Sequence, residues 1–174
     1  MRSLKEARVL IVGWKPNSHE FLRCLLSSLG APAFTRVSRT DEALTLLREQ
    51  GFELVLCTNE AEAMNPVEFT LAVRRDVFGR DPTIPLVVVH SAVTLKDIQM
   101  LRDAGADDIM CPPMSPESVQ KRFGRILLNT RSFVTGKSFV GPDRRRAGSR
   151  DFAGTERRLS QDTIFYQPPR VRRD

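Results

Sequence analysis

Phe139-Val140-Gly141-Pro142-Asp143-Arg144-Arg145 recurs thirteen residues on as Phe152-Ala153-Gly154-Thr155-Glu156-Arg157-Arg158. Each copy sets an aromatic, a small residue, a glycine, an acid and paired arginines in one order. An arginine fork grips guanine O6 and N7, or a phosphate, through two parallel hydrogen bonds. Its plane also stacks on a purine. The carboxylate of Asp143 or Glu156 complements the N1–H and N2–H₂ donor edge of guanine. Gly141 and Gly154 let the backbone come close to a ligand, Pro142 stiffens the approach, and Arg146 adds a guanidinium to the first copy. One copy suits one guanine, and two copies suit a ligand with two similar halves. Thirteen residues extend to roughly 45 Å, enough to wrap an object about 10 Å across.

Charge singles out the same segment. Residues 1–130 carry 16 Lys/Arg against 16 Asp/Glu, whereas residues 131–174 carry 11 basic residues, ten of them Arg, against five acids. The formal net charge of +6 therefore lies wholly in the tail. Such asymmetry favours an anionic partner: a nucleotide, a nucleic acid or an acidic protein face. Non-specific attraction needs charge but no register, so the repeat argues for a defined ligand. Gly and Pro inside the cassettes exclude a helix-face origin. The tail has only scattered large apolar residues, and alone it is expected to lie loose until a ligand orders it.

The elements that must position this tail are legible upstream. Arg8–Val12, Ala33–Val37, Glu53–Cys57, Leu86–Val89 and Asp108–Cys111 read as strands. Helices are expected over Ser18–Leu29, from Thr40-Asp41 through Glu49, and over Pro66–Arg75, Thr94–Ala104 and Ser115–Asn129, with Gly30, Gly51 and Gly105 as stops and Pro116 in a first turn. Five βα units with near-continuous β-branched strands predict a parallel sheet covered on both faces. Right-handed crossovers make it a doubly wound α/β, flavodoxin-like sandwich, with its crevice at the strand C-termini. A length of 174 residues, 41% of them apolar, fits one such domain over 1–130 plus an extension over 131–174. Cys24, Cys57 and Cys111 leave one thiol unpaired in any disulfide scheme and lack metal-ligand spacing, so they are expected reduced and packed. Charges at Arg2, Lys5, Glu6 and Arg8 break any secretory pattern, and the run at Leu86–Val89 is too short to span a bilayer. The expectation is a cytoplasmic, non-enzymatic protein.

Residues 1–130 resemble the receiver domain of bacterial response regulators, the CheY-like family. The resemblance rests on Val9-Leu10-Ile11-Val12, Gly51-Phe52-Glu53-Leu54-Val55-Leu56, Ile84-Pro85-Leu86-Val87-Val88-Val89 and Ala104-Gly105-Ala106-Asp107-Asp108-Ile109. It implies two-component signalling, in which carboxylates hold Mg²⁺ and an aspartate after the third strand accepts a phosphoryl group. Those positions are degenerate here. The acidic pair falls on Gly13-Trp14, the acceptor on Thr58, the hydroxyl switch on His90 and the lysine on Pro112. Mg²⁺ needs carboxylate oxygens, and a threonine without a base is a weak nucleophile, so a pseudo-receiver is expected, without metal or catalytic residues. Glu60 or Glu62 would reach the crevice only by rearranging their loop. His90 either hydrogen-bonds Thr58 or fills the switch residue's space, and Trp14 either stacks on a partner or caps the vacated pocket. Pro112-Pro113 keeps the local turn, with a cis bond as one option.

A ligand with two guanines and two phosphates is cyclic di-GMP. The tail, over about residues 131–160, resembles the arginine-rich extension of the CheY-like Cle proteins. That resemblance implies a receiver-fold effector of flagellar motility or attachment that binds cyclic di-GMP through this segment. Phe139, Gly141, Pro142, Asp143, Arg144, Arg145, Arg146, Phe152, Gly154, Glu156, Arg157 and Arg158 are then the site. Ordering of the tail would control docking of the receiver surface on a protein partner. An adaptor whose basic tail docks on an acidic partner surface is the alternative. A nucleic-acid regulator is a third reading, against which stands the lack of a groove-reading element.

Overall fold

Alternating side-chain direction along β-strands lets one run of apolar residues serve two layers. The computed structural model describes residues 7–13, 15, 34–75, 81–128, 132–136, 139–143 and 164–166. Its main sheet has strands β1 (Val9–Val12), β2 (Phe34–Val37), β3 (Leu54–Thr58), β4 (Leu86–Val89) and β5 (Asp108–Met110) in the order β2-β1-β3-β4-β5. Every neighbouring pair is parallel. Leu10, Val12, Val55, Cys57, Leu86 and Val88 face one layer, against helices α1 (Thr40–Glu49), α2 (Pro66–Arg74) and α3 (Leu95–Ala104). Val9, Ile11, Leu54, Leu56, Val87 and Val89 face the other, where α4 (Pro116–Leu128) contributes Val119 and Phe123. The doubly wound α/β sandwich expected from the strand pattern is the fold observed. The expected helix over Ser18–Leu29 lies outside the described residues.

Local chemistry sets the helix ends. Asn65 Oδ1 accepts from the N–H groups of Val67 and Glu68, and Glu68 Oε2 accepts from Asn65 N, each at 3.0 Å. This reciprocal box starts α2 with Pro66 in its first turn. Thr94 and Asp97 form the same device ahead of α3. Gly105 then ends α3 at φ 103°, a left-handed conformation that a side chain would resist.

Gly105 also admits another part of the chain. Strands β6 (Phe133–Thr135), β7 (Val140–Pro142) and β8 (Ile164–Tyr166) form a second sheet in the order β7-β6-β8, with both pairings antiparallel. A Cβ on Gly105 would lie 2.6 Å from the Val140 carbonyl oxygen, and one on Gly141 would lie 2.9 Å from Gly105 Cα. The backbones of β7 and the α3–β5 turn are therefore in direct contact. The expectation of a loose tail over 131–174 is corrected at these strands, because Phe133, Gly141 and Pro142 are buried. They add apolar burial that the composition of the isolated tail did not reveal.

The contact is organised by Arg74, whose side chain is fully buried at the end of α2. Its Nε donates to Gly105 O at 2.8 Å, Nη1 to Pro82 O and Ile84 O at 2.7 Å each, and Nη2 to Asp107 Oδ2 at 2.7 Å. The Phe133 ring of β6 lies 5.3 Å from the guanidinium carbon. Burial lowers the Arg74 pKa, while Asp107 and Asp81 oppose that shift by favouring its charge. Arg74→Ala strands the Asp107 carboxylate and three carbonyls, and is expected to cost about 3–5 kcal/mol, read as a lower urea midpoint. An unchanged midpoint would contradict this role.

Candidate functional site

Parallel pairing of β1 with β3 brings Gly13 and Thr58 together at the C-terminal edge of the sheet, where the crevice belongs. The buried Thr58 hydroxyl donates to Gly13 O at 2.8 Å and accepts from Glu60 N at 3.2 Å. Gly13 sits at φ 81°. A Cβ there would overlap Thr58 Oγ1 and stand 2.5 Å from Ala61 N. No side chain fits at Gly13, one of the positions where the receiver pattern places a carboxylate. The segment after β3 lies across the sheet edge: Thr40 N and Oγ1 donate to Glu62 O at 3.0 and 2.9 Å, and Glu62 N donates to Ser38 O at 3.0 Å. Arg39 and Glu62 form a parallel bridge. The side chains of Glu60 and Glu62 are exposed.

The other crevice positions are equally committed to local structure. His90 Nδ1 accepts from Ala92 N at 3.3 Å, while the Thr58 hydroxyl proton goes to Gly13, so the His90–Thr58 hydrogen bond is not formed. Asn59 Nδ2 donates to Ser91 Oγ at 3.3 Å across the ends of β3 and β4. The Pro112–Pro113 bond is cis. Trp14 lies outside the described residues. Among the described residues, no group of three or more His, Cys, Asp or Glu side chains is placed to hold a metal. Mg²⁺ demands near-octahedral oxygen ligation, and a glycine packed on a threonine does not fit it.

Comparison with solved structures fixes what this architecture is. The chain is 21% identical to a putative response regulator from Chloroflexus aurantiacus, with 72% of this chain and 100% of that chain covered at a TM-score of 0.63. The magnesium-bound receiver domain of a sensor histidine kinase from Pseudomonas aeruginosa is 20% identical, with coverages of 70% and 98% and a TM-score of 0.60. Chemotaxis protein CheY4 of Vibrio cholerae is also 20% identical, with coverages of 70% and 99% and a TM-score of 0.59. The fold is the receiver fold. No family profile and no curated protein matches the chain.

Beyond the receiver fold, the structure describes the first half of the first cassette. Gly141 pairs with Val134 and Pro142 with Phe133 across β6–β7, and Asp143 N donates to Ser132 O at 2.7 Å. The Phe139 ring covers Gly141, with its Cζ 2.7 Å from where a Cβ would stand. The close backbone approach that Gly141 permits is thus made to Gly105, and sequence reasoning had assigned it to a ligand. Arg144, Arg145, Arg146, Phe152, Gly154, Glu156, Arg157 and Arg158 lie outside the described residues. The chain that carries them leaves β7 and returns as β8 on the other side of β6. It is held at both ends, on strands about 10 Å apart.

Sequence reasoning missed two features. Arg74 carried no signal, because its partner Asp107 lies 33 residues away. Cys111 was expected to pack but is exposed, with Sγ 3.7 Å from Ser91 O and Pro112 O. Burial pushes the Cys57 thiol up to about 12, so it stays protonated and inert at pH 8. A thiol reagent at that pH should modify Cys111 and spare Cys57 until denaturant is added, as peptide mass spectrometry would show. Equal labelling of both would contradict the burial of Cys57. Gly13→Asp should cost roughly 1–3 kcal/mol from backbone strain alone and create no Mg²⁺ site by calorimetry. Metal binding at unchanged stability would refute the closed crevice.

Proposed function

We propose that the protein is a phosphorylation-independent signalling effector that binds cyclic di-GMP through the duplicated cassettes between β7 and β8. The observation that carries this reading is the tethering of that segment: it begins directly after buried Gly141-Pro142 and returns at Ile164. Holding both ends lowers the entropy lost when Asp143-Arg144-Arg145 and Glu156-Arg157-Arg158 close on one ligand. The two acid-plus-arginine sets match two guanines and two phosphates, and residues 131–174, which contain them, hold the whole net charge of +6. A receiver fold whose crevice is packed shut leaves the cassettes as the place for a signal to enter. Ligand-driven ordering would then control docking of the receiver surface on a protein partner, such as flagellar or chemotaxis machinery, in the cytoplasm.

Calorimetric titration of the full chain with cyclic di-GMP tests this reading. Tight binding is expected, with much weaker binding of GTP. Replacing Arg144, Arg145, Arg157 and Arg158 by Ala should reduce affinity by at least about 100-fold, because several charge-assisted bonds are lost. Micromolar or tighter affinity in that variant would remove the site from the cassettes. A silent wild-type titration, with a partner retained in pull-downs through the tail, would favour an adaptor docking on an acidic protein surface.

A further inference from the structure

The outer edge of β5 has no sheet neighbour, and a groove of about 550 Å³ runs along it between α3 and α4. That volume lies within the ~300–1,000 Å³ usual for small-molecule sites. Ile98 and Arg102 share one face of α3, and Arg122 and Arg125 share one face of α4; all four line the groove. Ile109 and Met114 complete an apolar wall. Arg122 Nη1 donates to Ile109 O at 3.1 Å and meets Asp108 Oδ2 at 3.2 Å, while Arg125 Nη2 stands 3.8 Å from the same oxygen. With the Ile109 carbonyl taken, a strand added along this edge would have to displace Arg122. The charges of the lining do not balance. Asp107 is committed to buried Arg74, so Asp108 is the one carboxylate left to face Arg102, Arg122 and Arg125. Arg102 is exposed and makes no ion pair among the described residues.

We infer that this groove is a binding site for a purine nucleoside monophosphate, built on the receiver body and needing none of the cassette arginines. Three guanidiniums against one carboxylate leave a surplus of positive charge, and a phosphomonoester, which carries about −2 near pH 7, matches it. The forks of Arg102 and Arg125 take the phosphate through paired N–H donors. Arg122 is a positioning residue, fixed by Ile109 O and Asp108. The base lies flat against Ile98, Ile109 and Met114, whose thioether packs well on an aromatic ring. Inorganic phosphate would leave the apolar wall uncovered, and a nucleoside without phosphate would leave the surplus charge unmet. Cys111 also lines the groove and is exposed, so its thiol reports on occupancy.

The full chain is titrated calorimetrically with AMP, adenosine and inorganic phosphate. AMP is expected to bind, and each fragment to bind at least about tenfold more weakly, having lost one kind of contact. An Arg102→Ala/Arg125→Ala variant, its fold verified by circular dichroism and thermal midpoint, should lose about tenfold or more in AMP affinity, the scale of one charge-assisted bond. Replacing Arg144, Arg145, Arg157 and Arg158 by Ala should leave AMP affinity within about twofold of wild type. Saturating AMP should also slow the reaction of Cys111 with a neutral maleimide several-fold. A silent AMP titration, an unchanged affinity in the groove variant, or loss of AMP binding in the cassette variant would each overturn the inference. AMP binding without protection of Cys111 would place the ligand elsewhere, and phosphate binding as tightly as AMP would refute the nucleotide assignment. Cyclic di-GMP affinity is read in a separate titration, so the two readings fail separately.

Discussion

The buried guanidinium of Arg74 is the constraint on which the base of the molecule depends. Removing such a cation from water is unfavourable unless its donors are all met. Here one side chain bonds Gly105 O, Pro82 O, Ile84 O and the Asp107 carboxylate. Those partners belong to the chain leading into β4 and to the α3–β5 turn, so Arg74 sets their spacing. Asp107 Oδ2 in turn accepts from Leu86 N at 2.8 Å, fixing the start of β4. Phe133 then covers the guanidinium from the tail side. Without that cover, the cation would sit at an open end of the sheet. The second sheet is thus part of the solvation of Arg74, and the tail begins inside the domain.

The fold was legible where the physics is local. Leu54-Val55-Leu56-Cys57 and Leu86-Val87-Val88-Val89 are continuous apolar runs because both sheet faces are covered. Asn65-Pro66 with Glu68 announces a helix start, and Gly105 a helix stop. Legibility failed where a residue's role depends on a distant partner. Arg74 reads as a solvated residue beside Arg75 until Asp107 and three carbonyls surround it. Thr58 reads as a degenerate acceptor, and only the pairing of β1 with β3 shows that it caps Gly13. Strands β6 and β7 have three residues each, too few for a period to register, and β7 contains Gly and Pro. The candidate site was half legible for the same reason: the repeat marked the segment, while the strands β7 and β8 on either side of it in the chain pair only through β6.

The closed crevice and the docked tail sit at opposite ends of the sheet. At the C-terminal edge, Thr58 bonds the Gly13 carbonyl, Thr40 bonds the Glu62 carbonyl, and the Ala61 backbone stands against the place of a Gly13 side chain. At the other edge, the α3–β5 turn accepts β7 through two glycines in contact. Close packing at the first leaves no room for a side chain at Gly13. Adaptable surface is left along β5, which has a sheet neighbour on one side only.

That asymmetry gives adjacent carboxylates different tasks. Asp107 holds Arg74, whereas Asp108, one residue on, holds Arg122 and Arg125 of α4. Asp107 immediately precedes β5 and Asp108 opens it, so the two ion pairs are joined by one peptide unit. Asp107 bonds the buried cation that Phe133 covers, and Asp81 also favours its charge. Burial makes the Arg74–Asp107 pair intolerant of disruption, whereas Arg122 and Arg125 meet Asp108 from partly exposed positions. The edge of β5 is therefore the place where an exposed electrostatic event and a buried one share a backbone.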